Sequence, residues 1–149
     1  MTVSAQVNQR NVRAFEKRLE RFLGEMANPT PANRQASIQL YGWCIRNFDS
    51  EGSLVGRWMP LAESTVLQKR RLGKEKMLVR SGNLRSGFTP FYSRENAGVS
   101  NDVEYAVYHH EGTDTIPSRE LLPPRSIVLR IGLDVYGTYV ARAAKRANR

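Results

Sequence analysis

The sequence predicts an α+β domain, and three observations carry that expectation. Apolar residues recur at helical spacing up to Phe48, two short β-prone runs flank an Arg94-Glu95-Asn96 turn, and a further helical stretch closes the chain. The order is helices, then a small antiparallel sheet, then a helix.

The first helix reads over Asn8 to Met26. Val12, Phe15, Leu19, Phe22, Leu23 and Met26 line one face and form a candidate core stripe, while Arg10, Arg13, Lys17, Arg18 and Arg21 share the rest with Glu16, Glu20 and Glu25. Asn28-Pro29 ends it, because a residue before proline is pushed out of the helical region. Thr30-Pro31 restarts the chain as an N-cap followed by a proline at the first helical position. The second helix runs to about Phe48 with a stripe of Ile38, Tyr41, Ile45 and Phe48, widened by Leu40, Trp43 and Cys44. So short a link predicts an antiparallel helical hairpin.

Asp49 to Ser53 reads as a loop. A shorter helix follows from about Leu61 to Leu72, stopped by Gly73. Ser81 to Gly87 is turn-rich with room for one helical turn. Strands are expected over Phe88 to Ser93 and Ala97 to Asn101. Glu104 to His110 fits strand or helix, and Thr113 to Arg125, with its prolines, reads as a loop. Ile131 to about Lys145 reads as helix, although Gly132 and Gly137 weaken the pattern.

At 149 residues the chain fits one domain over 1–149, divided into a helical hairpin (1–52), a central block (57–125) and a basic C-terminal helix (126–149). A composition of 40% hydrophobic and 25% charged residues suits a folded domain. The single cysteine, Cys44, rules out an internal disulfide and a cysteine-based zinc site, and its apolar helix face suggests a buried, inert thiol. There is no apolar run of about 18 residues, and Met1 to Arg10 lacks the apolar core of an export signal. No membrane partner is expected.

Nothing in the sequence assembles a catalytic centre, so the chain reads as a non-enzyme with no catalytic residues, no metal site and no cofactor. His109 and His110 are adjacent, which turns their rings to different sides in either a strand or a helix, and they do not form the H-E-x-x-H zinc helix. The glycines are scattered and build no phosphate-binding loop.

The formal net charge is +9, and it is clustered. Lys69, Arg70, Arg71, Lys74, Lys76 and Arg80 stand against one acid, Glu75, while Asp102 to Glu120 holds Asp102, Glu104, Glu111, Asp114 and Glu120 with one base, Arg119. Opposite segments of this kind can pair copies of a chain head to tail, so both are candidate subunit-interface segments. The alternative is that they are solvated faces. Nucleic-acid binding also fits a basic chain, but no zinc finger or RNP signature is present and the aromatics sit at core spacings. A basic DNA-binding accessory protein is therefore the second functional reading.

Four elements in series carry a resemblance. They are Trp58-Met59-Pro60-Leu61 with Thr65, Ser81-Gly82-Asn83-Leu84-Arg85-Ser86, Tyr105-Ala106 with His109 and Gly112-Thr113, and Pro117-Ser118-Arg119 leading to Leu122. In this order and spacing the chain resembles the phage virion morphogenesis family, the tail-completion proteins of Mu-type contractile phages. It departs from the family pattern where Glu120 and Leu121 replace an aromatic, and in the Pro123-Pro124-Arg125 run. The resemblance implies a structural virion protein at the tail–head junction, made in the host cytoplasm and assembled as a ring of sixfold symmetry. It implies partners in copies of itself and in neck, tail-tube or sheath, and connector proteins, with packaged DNA touched at most non-specifically. The motif residues are expected to serve the fold: Trp58 and Leu61 covering the hairpin, Gly82 and Gly112 making turns, Tyr105 and Tyr108 packing the sheet.

Overall fold

The structure is a computed structural model and describes residues 8–149, so the export-signal reading of Met1 to Arg10 falls largely outside it. Helices α1 (Gln9–Met26) and α2 (Thr30–Asp49) are followed by a 3₁₀ turn over Ser53–Val55 and by α3 (Glu63–Arg71) and α4 (Asn83–Ser86). Strands β1 (Phe88–Tyr92) and β2 (Ala97–Asn101) come next, then α5 (Ala106–Glu111) and α6 (Arg125–Ala147). The α+β expectation holds. The strands pair antiparallel from Phe88 opposite Asn101 to Tyr92 opposite Ala97. Ser93 closes the turn, its Oγ accepting from the N–H groups of Glu95 and Asn96. Among the described residues no helix is long and apolar enough to cross a membrane.

The centre of the fold is α2. It packs against both strands and against α6. Its buried positions are Ala32, Asn33, Ala36, Ser37, Leu40, Trp43, Cys44, Asn47 and Phe48, a repeat of 3 and 4 that faces the core. Ile38, expected in the stripe, is exposed. The buried face is rotated toward the small residues Ala32 and Ala36, which let α6 approach closely. Ile131 and Val135 of α6 pack there against Ala32, Ala36 and Leu40. Asn33 ties the layers by donating from Nδ2 to the carbonyls of Ser93 and Arg94 and accepting the Tyr136 hydroxyl at Oδ1. Cys44 is fully buried, and burial pushes its thiol up to about 12.

The structure corrects the reading of α1. The helical pair is present, but α1 lies along α6 rather than in the core, and none of its residues is buried. Phe15, Leu19 and Leu23 are exposed. Among the described residues α6 is the element packed along this stripe, and beside Phe15, Leu19 and Phe22 it presents the small side chains Ala144 and Ala147, which cannot enclose a phenyl ring. The junction is held by polar contacts instead: Arg146 to Glu25 at 2.9 Å, and the Tyr139 hydroxyl donating to the carbonyls of Glu25 and Asn28.

Two further expectations change. The last helix begins at Arg125 rather than Ile131, directly after Pro124. Tyr105 and Tyr108 do not pack on the sheet, because 106–111 is helical and leaves both tyrosines exposed.

Candidate functional site

The four motif elements are far apart in sequence, and the fold brings them together. Trp58, Leu84, Ala106 and Leu121, one from each element, are buried in a single cluster with Trp43, Cys44, Phe48 and Phe88. Trp58 meets Phe48 edge to face, with ring centroids 5.7 Å apart, and its Nε1 donates to the Glu120 carbonyl at 3.2 Å. Nδ2 of Asn47 donates to the same carbonyl at 2.8 Å. At the end of α2, Gly52 has φ of +81° and lies under the indole, where an added Cβ would sit 2.2 Å from a ring carbon. Only glycine suits both demands.

The segment from Pro117 to Leu121 acts as a clasp. The Arg119 N–H donates to the His109 carbonyl, the Ser118 hydroxyl to the His110 carbonyl, and the Leu121 N–H to Nδ1 of His110. The Arg119 side chain is buried, with Nη2 donating to the Met59 carbonyl at 3.2 Å and Nη1 to the Pro117 carbonyl. No carboxylate among the described residues pairs with it. Its guanidinium therefore holds two backbone segments together by hydrogen bonds, and burial lowers its pKa. Gly112 turns the chain with φ of +82°, and Thr113 caps the loop by accepting from the Thr115 and Ile116 N–H groups. Gly82, with φ of +86°, opens α4, and the Ser86 hydroxyl closes it on the carbonyls of Gly82 and Asn83. Arg85 joins α4 to the end of α2 through a two-pronged contact with Asp49 at 2.7 and 2.8 Å, and that contact holds the Asp49 carboxyl below its ordinary range. Pro60 lies exposed beside this framework. Asn47 is the functional-core residue that no pattern or motif singles out.

Beside the clasp, α3, the 72–81 loop and α5 enclose a cleft of about 450 Å³. Leu61, Leu72, Leu78, Leu84 and Tyr105 give it an apolar lining, Thr65 and His109 lie in its wall, and Lys69, Lys74 and Arg80 bring positive charge. The basic segment is thus split. Arg70 and Arg71 are exposed on the last turn of α3 outside the cleft, and Lys76 lies beside Asp49 and Glu51 in a separate shallow hollow. Of the acidic residues, Glu104, Glu111, Asp114 and Glu120 are all exposed. Lys69 donates to the Val79 carbonyl, which pins the loop to α3, and Lys74 donates to the Arg80 carbonyl across the loop. Desolvation, and then the neighbouring Lys74, lower the pKa of Lys69.

His109 and His110 are both half-buried and have different partners. Desolvation first, and the Arg119 charge second, push His109 below its ordinary 6.5. The folded state then binds fewer protons than the unfolded chain as pH falls below 6.5. Stability contributed by neutral His109 is complete above that value and is lost as pH falls through the depressed folded pKa. The melting temperature of the wild type should therefore fall more steeply from pH 7 to pH 5 than that of His109→Gln. Equal slopes in the two proteins would remove His109 as the source.

The phage virion morphogenesis family model matches residues 10–136. Searches of curated proteins and of solved structures find no match. The matched span contains the whole clasp and all four motif elements. The chain belongs to the phage virion morphogenesis family.

Proposed function

We propose that this chain is a subunit of the phage neck, completing the tail and helping to join it to the head as a ring that repeats the tail's sixfold symmetry. One observation carries the reading: the family match covers a fold in which every motif element is spent on a shared structural core. Residues that only hold a framework together suit a part whose work is done by its surface. The exposed apolar side chains support assembly, with Phe15, Leu19 and Leu23 on α1 and Leu129 and Leu133 on α6. The strong positive charge also suits a channel through which DNA passes.

Phage lacking this protein should accumulate filled heads and separate tails, and adding the purified protein to such an extract should restore joined particles. Electron microscopy of the neck should locate a ring that is missing from the mutant tails. Joined, infectious particles without the protein would remove this reading. Absence from particles, together with DNA binding that weakens steeply with salt, would favour a DNA-binding accessory protein instead.

A further inference from the structure

The short helix α5 and the turn before it divide their side chains three ways. Ala106 and His110 face the core, and Tyr105 and His109 face the cleft. The remaining residues, Glu104, Val107, Tyr108 and Glu111, follow one another at helical spacing and form a single outer stripe. Val107 and Tyr108 are 46% and 54% exposed, so two large side chains stand in solvent framed by two carboxylates. Neither carboxylate belongs to an ion pair among the described residues.

The cleft has the opposite character. Its floor is apolar, Lys69, Lys74 and Arg80 stand around it, and among the described residues no carboxylate lines it. Both lysines donate to neutral carbonyls, and neither belongs to an ion pair among the described residues.

We propose that the outer stripe of α5 in one copy docks into the cleft of the next copy. The proposal rests on the ring reading above and names the surfaces that would build the ring. Val107 and Tyr108 would cover the leucine floor, and Glu104 and Glu111 would meet the cationic rim. The outer stripe and the cleft-facing residues diverge by roughly 130° around the helix axis, so one copy can use both surfaces at once. Two different surfaces that fit one another make a head-to-tail contact, which closes into a ring when the rotation allows. The pairing expected from sequence is thereby narrowed: Arg70, Arg71 and Lys76 fall outside the contact.

The test is a mixing experiment on the full chain, read by sedimentation. Tyr108→Arg spoils the stripe and Leu72→Glu spoils the cleft; both positions are exposed, so both variants should melt like wild type. If Leu72→Glu fails to fold, Arg80→Glu takes its place. Each variant alone should associate at least about tenfold more weakly than wild type. An equal mixture of the two retains one intact contact and should stop at a two-chain species. Variants that assemble like wild type would overturn the proposed contact and leave the ring reading standing. A mixture that stays monomeric would also overturn it. A wild type that remains monomeric at all concentrations and occurs singly in particles would overturn the ring reading and the contact together. Assembly that requires added duplex DNA and is lost with Arg80→Glu would make the cleft a nucleic-acid surface and overturn the docking of a second copy.

Discussion

Trp58→Ala should lower the unfolding free energy by about 3–5 kcal/mol. The indole is 6% exposed, meets Phe48 edge to face and lies over Gly52, so its removal leaves a cavity where α2 meets the motif elements. Gly52 has no side chain with which to fill that space. The Glu120 carbonyl keeps Asn47 as a donor, so the loss is mainly one of packing rather than of hydrogen bonding. Trp58→Phe should accordingly cost much less, about 1–2 kcal/mol for the smaller ring and the lost N–H. Urea denaturation of the three proteins measures both differences. A Trp58→Ala protein within about 1 kcal/mol of wild type would show that the site collapses around the missing ring.

Gly112→Ala should cost about 3 kcal/mol or more, a backbone strain of 1–3 kcal/mol with a steric clash added to it. Its φ of 82° and ψ of 171° belong to a region that side chains make inaccessible. An added Cβ would lie 2.8 Å from the Ser118 nitrogen and 3.0 Å from the Ile116 oxygen. Those atoms cannot retreat freely, since Thr113 N–H donates to the Ile116 carbonyl and Arg119 N–H to the His109 carbonyl, both at 2.7 Å. Relief would therefore open the clasp. Besides the lower denaturation midpoint, limited proteolysis should cut the 113–118 loop of the variant faster. Wild-type stability with wild-type protease resistance would refute the strained geometry.

The elements easiest to read from sequence were those whose own residues decide them. The strands flank a turn built by Ser93 and Asn96, and α2 carries Pro31 in its first turn, where a helix has no use for the missing N–H. The cap itself is one residue earlier than expected, at Pro29, and Thr30 is already helical with no side-chain cap. What stayed hidden depends on neighbours. The α1 stripe shows which face is apolar, but periodicity cannot show that α6 meets Phe15 and Leu19 with the small side chains Ala144 and Ala147. The prolines end the expected loop at Arg125, and the apolar pattern is legible only from Ile131, within which Gly132 and Gly137 weaken the helix; Ile131 and Val135 packed against α2 outweigh that propensity cost. Tyr108 suggested a sheet by residue type, while the spacing of Glu104, Val107 and Glu111 carried the helical signal.

The same limit applies to the site. The spacing of the motifs marked Trp58, Gly112 and Arg119, but their roles emerge only when the clasp joins them. Asn47 carries no local sign at all. It sits one position before the apolar Phe48, and its value lies in reaching the Glu120 carbonyl 73 residues away.

Cys44 has a practical consequence. It is the chain's single thiol, sealed in the core and held protonated far above neutral pH. Thiol-directed labels should pass over it in the folded protein. Any cysteine placed on the surface would then be the sole reactive handle in each copy. Distances between labelled copies inside an assembled particle could be measured without first removing a native residue.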